Sequence, residues 1–286
     1  MSKDQWTVMD VLQWSSQDLA KRDIEKPRLD AEVLLGKALG LTRLELYTNF
    51  DRPLSDNERR RFRDFISRRR RREPVAYITG EKEFYSLCFE VSPDVLIPRP
   101  ESEVLVDEVL DFAKGKKNLK VADVCTGSAC IAIALAKNLD AEISASDMSA
   151  AALDLAAKNC KKHRVSLALR RGNLLEAYGD EETFDVIVSN PPYIEETELS
   201  SLPPEVKWEP SLALDGGRDG LDKIRELVKD ARAHLNDNGL LLIEIGSKQG
   251  KEAKRILERA EMNGVEVLRD LAGLDRVLKG RMKDKG

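Results

Sequence analysis

The chain has 286 residues, enough for two domains or one large α/β domain. With 47 Lys+Arg against 51 Asp+Glu and 42% hydrophobic residues it falls in the globular range, which excludes a disordered chain and a basic protein that coats nucleic acid. The first ten residues hold no apolar core of signal-peptide length, and no apolar run approaches the roughly 20 residues of a membrane helix, so the expectation is a cytoplasmic protein without membrane contact.

Residues 1–80 carry 17 Lys+Arg and 13 Asp+Glu, net +4, which leaves −8 for the remainder and suggests two modules. In the first, Ala31, Leu34, Leu35, Ala38 and Leu39 recur at helical spacing, Gly40 is placed to stop that helix, and Ser55 caps another with Glu58 three residues later. A bundle of four or five helices is expected. From Arg59 to Arg72 nine of fourteen residues are Arg, with Phe62, Phe65 and Ile66 as a narrow apolar stripe. Such a run is a solvated helix face or a docking surface for an acidic or ribonucleoprotein-related partner.

Phe84 to Val91 is rich in aromatic and β-favouring residues and Ser92-Pro93-Asp94 supplies turn chemistry, so a linking β-hairpin is expected over 81–95. From 96 to 286 the pattern alternates. Strands are predicted at 119–125, 141–146, 165–170, 184–189 and 239–245, and helices at 102–114, 128–138, 149–162, 220–236 and 248–262. That alternation predicts a mostly parallel sheet with helices on both faces, and two further segments, 264–270 and 274–280, predict an antiparallel edge. Cysteines 88, 125, 130 and 160 form no CxxC pair and His163 and His234 are scattered, so no metal site is expected.

In a doubly wound sheet the ligand lies beyond the carboxyl ends of the strands. The first strand delivers Asp123-Val124-Cys125-Thr126-Gly127-Ser128-Ala129 into a helix, a tight turn that lets a ligand meet backbone and helix N-terminus. Asp147, twenty positions after Gly127, ends the second strand and suits a ribose diol, with a helix cap as the alternative. Asn173 and Leu174 follow the third strand, where they suit an adenine edge and ring face or simply a turn. The fourth runs into Asn190-Pro191-Pro192-Tyr193, where an Asn oxygen and the Pro191 carbonyl give two acceptors for a planar NH2 group beside the Tyr193 ring.

Asn-Pro-Pro-Tyr after the fourth strand resembles the signature of class I S-adenosylmethionine methyltransferases acting on planar nitrogens. Leu96-Ile97-Pro98-Arg99-Pro100-Glu101-Ser102-Glu103 narrows the resemblance to the HemK/PrmC family, together with Leu242 to Gly246 and Asp270 to Arg276. That family methylates the glutamine amide of the Gly-Gly-Gln motif in class 1 peptide chain release factors, a step in translation termination. The resemblance implies a Rossmann-like, seven-stranded mostly parallel sheet behind a small helical domain that recruits substrate, S-adenosyl-L-methionine as cofactor, a release factor as partner, and no stable nucleic-acid partner. It places cofactor binding on Cys125, Thr126, Gly127, Ser128, Ala129, Asp147, Asn173, Leu174 and Asn190. It places substrate binding on Asn190, Pro191, Pro192 and Tyr193, with Asn190, Pro191 and Tyr193 as the catalytic group. The chain departs from the family at Cys125 and Ala129, usually Gly, and at Asn173, usually Asp, departures that bear on cofactor affinity more than on reaction class. An RNA or DNA exocyclic-amine methyltransferase and a non-catalytic adaptor are the competing readings.

Overall fold

The computed structural model describes residues 5–284, so positions 1–4, part of the stretch read above for a leader, lie outside the described residues. Contacts divide the chain into two units: residues up to Glu81 with Pro203–Trp208, and Lys82–Leu202 with the chain from Glu209 onward.

The first unit is a five-helix bundle: α1 (Val8–Ala20), α2 (Pro27–Leu39), α3 (Arg43–Thr48), α4 (Asp56–Arg70) and α5 (Val75–Thr79). Its ends follow local chemistry. Gly40 closes α2 in the left-handed region at φ 69°, where a side chain would be strained, and Ser55 and Glu58 form a reciprocal capping box at the start of α4. Leu12, Leu34, Leu35, Phe62 and Ile66 fill the core.

The arginine run proves to be two different things. Arg60, Arg61, Arg63 and Arg71 are exposed. Arg59 pairs with Asp56 on its own helix, and the remaining four brace the unit: Arg69 is only 6% exposed and donates to Asp30 at 2.7 Å and to Glu205 at 2.9 Å. Arg68 pairs with Glu73 and Arg70 with Asp18, while Arg72 donates to Glu205 at 3.0 Å. Glu205, held by two guanidinium groups, fastens Pro203–Trp208 into this unit. The sequence reading placed all of 96–286 in the second domain, and these six residues depart from it because their acidic side chain needs cationic partners that the bundle supplies.

The second unit begins with a hairpin of β1 (Glu81–Phe84) and β2 (Leu87–Glu90), joined by Tyr85 and Ser86 at φ 49° and 58°, the left-handed pair of a tight two-residue turn. The expectation of a linking element over 81–95 understates it. Phe84 and Phe89 are buried in the large core, and Asn159 accepts from the Glu90 amide at 2.7 Å and donates to the Glu90 carbonyl at 3.0 Å. Two apolar rings on one short hairpin need a core to enter.

Next come α6 (Glu103–Ala113), β3 (Leu119–Val124), α7 (Cys130–Asn138), β4 (Ala141–Asp147), α8 (Ala150–His163), β5 (Ala168–Arg171), β6 (Phe184–Ser189), α9 (Asp222–His234), β7 (Leu235–Glu244), α10 (Gly250–Arg259), β8 (Asn263–Arg269) and β9 (Asp275–Arg281). The seven strands lie in the order β5-β4-β3-β6-β7-β9-β8, parallel except for β9, which runs antiparallel to both its neighbours. β3 and β6 are buried along nearly their whole length, as strands covered on both faces must be. The order reverses at β3, so the ends of β3, β4 and β6 open into one crevice. Among the described residues no helix is long and apolar enough to cross a membrane.

Candidate active site

The crevice holds a cavity of about 460 Å³, within the range of small-molecule sites. Its wall includes Cys125, Thr126, Gly127 and Ser128 after β3, Asp147 at the end of β4, Asn173 and Leu174 after β5, and Asn190 and Pro192 after β6. Ala129, Pro191 and Tyr193 are not part of that wall. Ala129 is buried as the N-cap of α7, Pro191 is buried, and Tyr193 is half-buried with its hydroxyl donating to Glu244 at 3.2 Å.

The loop from Cys125 to Ala129 keeps a left-handed backbone at both ends, φ 62° at Cys125 and 61° at Ala129, although neither is Gly. Each Cβ there costs roughly 1–2 kcal/mol of local strain. Asp123 anchors the turn: its Oδ2 accepts from Thr126 Oγ1 at 2.6 Å and from the Ala132 amide at 3.2 Å, while Oδ1 is buried without a partner. Burial raises the Asp123 carboxyl to about 7 and pushes the Cys125 thiol up to about 12, so that thiol stays protonated and offers no nucleophile. Cys125→Gly is expected to raise stability by up to about 1 kcal/mol in thermal denaturation, relieved strain less the flexibility glycine adds to the unfolded chain. Cofactor affinity by calorimetry should hold or improve, and a severe loss would assign the thiol a contact of its own.

Asp147 accepts from the Gly127 amide at 2.9 Å through Oδ2 and from the Ser149 amide at 2.9 Å through Oδ1. Each oxygen keeps a lone pair. Ser149, rather than Asp147, caps α8 by accepting from the Ala152 amide. Burial lifts the Asp147 carboxyl above the ordinary carboxylate value, against three backbone donors that pull it down. Asn173 donates through Nδ2 to Glu226 at 2.6 Å and accepts through Oδ1 from Lys223 at 3.4 Å, a partnership from α9 that local sequence did not reveal. Leu174 sits at φ 48°, a rare conformation for a branched residue, and is buried.

The segment after β6 is held from three sides. Gln249 Nε2 donates to the Tyr193 carbonyl at 2.9 Å, and Ile194 pairs with Asp215 in an isolated parallel bridge. A Cβ on Gly216 would lie 2.7 Å from Tyr193 Cα, so only glycine allows that approach. Asn190 Nδ2 donates to Ser102 Oγ at 3.2 Å, and Ser102 Oγ donates to Glu244 Oε2 at 2.5 Å. Asn190 Oδ1 is buried with no partner. A second brace ties the cavity wall: buried Glu209 accepts from the Ile97 amide at 3.1 Å and from Arg99 at 2.5 Å. Ser102, Glu209, Lys223, Glu244 and Gln249 were not identified from sequence as parts of a site. The only signal lay in the family-like segments that contain Ser102 and Glu244.

Among known proteins, the PrmC N-terminal domain family matches residues 10–80 and the methyltransferase small domain family residues 100–202. A release factor glutamine methyltransferase of Geobacter sulfurreducens is 43% identical over 97% of this chain and 97% of its own length. One of Rhodopirellula baltica is 41% identical over 96% and 95%. A solved 16S rRNA methyltransferase of T. thermophilus, in complex with AdoMet and guanosine, has TM-score 0.54 and 19% identity over 71% of this chain and 50% of that one, a likeness of fold.

Proposed function

The chain belongs to the release factor glutamine methyltransferase family, and from that premise we infer how its own residues carry the reaction. The enzyme is a methyltransferase acting on the glutamine of release factors. The buried, unpartnered Asn190 Oδ1 in the cavity wall supports the reading of the site as an amide receptor. A buried acceptor without a donor costs about 1–3 kcal/mol, a cost that a bound NH2 group removes.

S-adenosyl-L-methionine is the cofactor this site fits, and when bound it supplies an electrophilic methyl group on a sulfonium sulfur. Asp147 retains two lone pairs for a ribose diol, and Gly127, whose Cβ position meets open space, lets a ligand approach the backbone. Cys125, Thr126, Ser128 and Ala129 shape that loop, and Asn173 and Leu174 border the end of the cavity suited to the adenine.

An amide nitrogen is a poor nucleophile because its lone pair is delocalised, and full deprotonation at neutral pH is out of reach. Placement has to do the work. Asn190 Oδ1 and the Pro191 carbonyl accept the two N–H groups of the glutamine of a Gly-Gly-Gln motif, raise electron density on nitrogen and hold it in line with the methyl group. Pro192 fixes the backbone in the cavity wall, and Tyr193, outside that wall with its hydroxyl on Glu244, steadies the segment that carries Asn190. With S-adenosylmethionine bound, its methyl group would pass from sulfur to this nitrogen, whose proton, made acidic by the transfer, would then leave to solvent. No base need take it beforehand. Release factors act on ribosomes, so the compartment of this reading is the cytoplasm.

Labelled S-adenosylmethionine should transfer its methyl to a purified class 1 release factor, and neither to its Gln-to-Ala variant nor to total RNA. Label in RNA alone would favour an exocyclic-amine methyltransferase. The helical unit recruits the substrate through its exposed arginines: charge reversal at Arg60, Arg63 and Arg71 should raise KM for the intact factor several-fold, more at low salt, and leave turnover of a short Gly-Gly-Gln peptide unchanged. Equal kinetics on the intact factor would leave those arginines as solvated charge. Arg68 and Arg69 are unsuitable for that test because they brace the bundle.

A further inference from the structure

We propose that Ser102 and Glu244 are positioning residues that fix which face of the Asn190 amide is offered to the substrate. The inference rests on the amide-receptor reading of Asn190. A serine hydroxyl has one proton, and here it goes to Glu244 Oε2 at 2.5 Å. Towards Asn190 the same oxygen can only accept, so the Asn190 Nδ2 group turns to it, at 3.2 Å, and Oδ1 is left as the free acceptor. With the amide reversed, an NH2 group would meet the substrate NH2, donor against donor, and the receptor would be lost.

The relay is closed to water, Ser102 being 2% and Glu244 1% exposed. It joins three distant places in the chain: the turn before α6, the end of β6 and the end of β7. Glu244 Oε1 also accepts from the Tyr193 hydroxyl, so one carboxylate orients two members of the Asn190 to Tyr193 segment. Its role depends on being an acceptor only, that is, on being ionised. A protonated Glu244 donates to Ser102, whose hydroxyl is then free to donate to Asn190 Oδ1 and turn the amide over.

The groups that face Glu244 are Tyr193 from the β6 segment, Ser102 and Glu101 from the turn before α6, Cys130 from α7 and Arg276 from β9. Burial dominates among them and raises the Glu244 carboxyl, with Arg276 opposing. Glu244 therefore loses its charge at a higher pH than an exposed glutamate does.

Ser102→Ala and Glu244→Gln test the relay in the full-length enzyme with a Gly-Gly-Gln peptide and saturating S-adenosylmethionine. In Glu244→Gln the side-chain amide can accept from only one of the two hydroxyls and must donate to the other, so the direction of the Ser102 hydroxyl is no longer fixed. Each variant should lower kcat about 10–100-fold, the range of outer-shell partners that orient a ligating group. The cofactor dissociation constant should stay near wild type while the melting temperature falls modestly, as loss of a buried polar partner requires, and the acid limb of the wild-type kcat profile should vanish in Glu244→Gln. Wild-type kcat in both variants, or a parallel loss of cofactor affinity marking a general structural role, overturns the inference. Asn190→Ala is run alongside: if it is inactive while both relay variants are normal, only the relay fails, whereas full activity in Asn190→Ala removes the amide-receptor reading itself.

Discussion

Asn190→Ala should reduce methyl transfer to the release factor by about 10²–10³-fold, the loss that follows removal of one preorganised partner of a reacting group. Cofactor dissociation, measured by calorimetry, should change by only a few fold, since Asp147 and the Cys125 to Ala129 loop remain. The split follows from what the side chain touches. Asn190 Nδ2 is engaged with Ser102, and Oδ1 is the only buried, unpartnered side-chain oxygen in the cavity wall among the described residues. On the amide-receptor reading the Pro191 carbonyl survives the substitution as the second acceptor, so residual turnover rather than none is expected. Near-normal turnover would mean that the substrate amide is held elsewhere. A loss of cofactor affinity as large as the loss of turnover would move Asn190 from the substrate to the cofactor side of the cavity.

The parts of this fold written in local chemistry were legible in the sequence. Gly40 stops α2, Ser55 with Glu58 starts α4, and strand–turn–helix alternation gives the parallel sheet with its antiparallel edge, each set by residues within a few positions of one another. The predicted strand at 165–170 begins late, at Ala168, where pairing with β4 starts opposite Ser144, because Val165 still belongs to the end of α8, its amide donating to the Cys160 carbonyl. β7 begins earlier than predicted, at Leu235, since its pairing with β6 extends back to Phe184 across a bulge. Asp147, Asn173 and Asn190 were legible as strand-terminal polar residues, and the sheet brings them to one cavity.

What orients them was not legible. Ser102 lies 88 residues from Asn190 and 142 from Glu244, and no periodicity encodes a relay across such distances. The same holds for Arg69, which in sequence is one arginine among nine and in the structure is a buried brace between Asp30 and Glu205. A charge run describes composition, and only tertiary packing decides which members of it reach water. Long-range polar pairing thus carries most of what the sequence withheld, and it is also where the site acquires its directionality.

Asp147→Ala should weaken S-adenosylmethionine binding about 10²–10⁴-fold, from the loss of two charge-assisted bonds to ribose hydroxyls at about 1.5–3 kcal/mol each. The substitution also leaves the Gly127 and Ser149 amides without their acceptor, which loosens the loop and adds to the loss. Asp147→Asn separates the two contributions, since its single carbonyl oxygen can keep one backbone donor while the charge is gone; an intermediate loss is expected. The pH dependence carries a definite sign. Burial raises the Asp147 carboxyl above its unfolded value, so acidification protonates it early and affinity should fall by up to tenfold per pH unit below that point. A carboxyl raised in the folded state favours folding most below its unfolded pKa, and that contribution is lost as pH rises through the folded pKa. Protonating Asp147 therefore weakens binding without unfolding the protein, and calorimetry in acid should show lost affinity with a retained melting transition. In Asp147→Asn the acid slope due to this group should be absent. Unchanged affinity in Asp147→Ala would return the residue to a purely local role, holding the Gly127 and Ser149 amides at the end of β4.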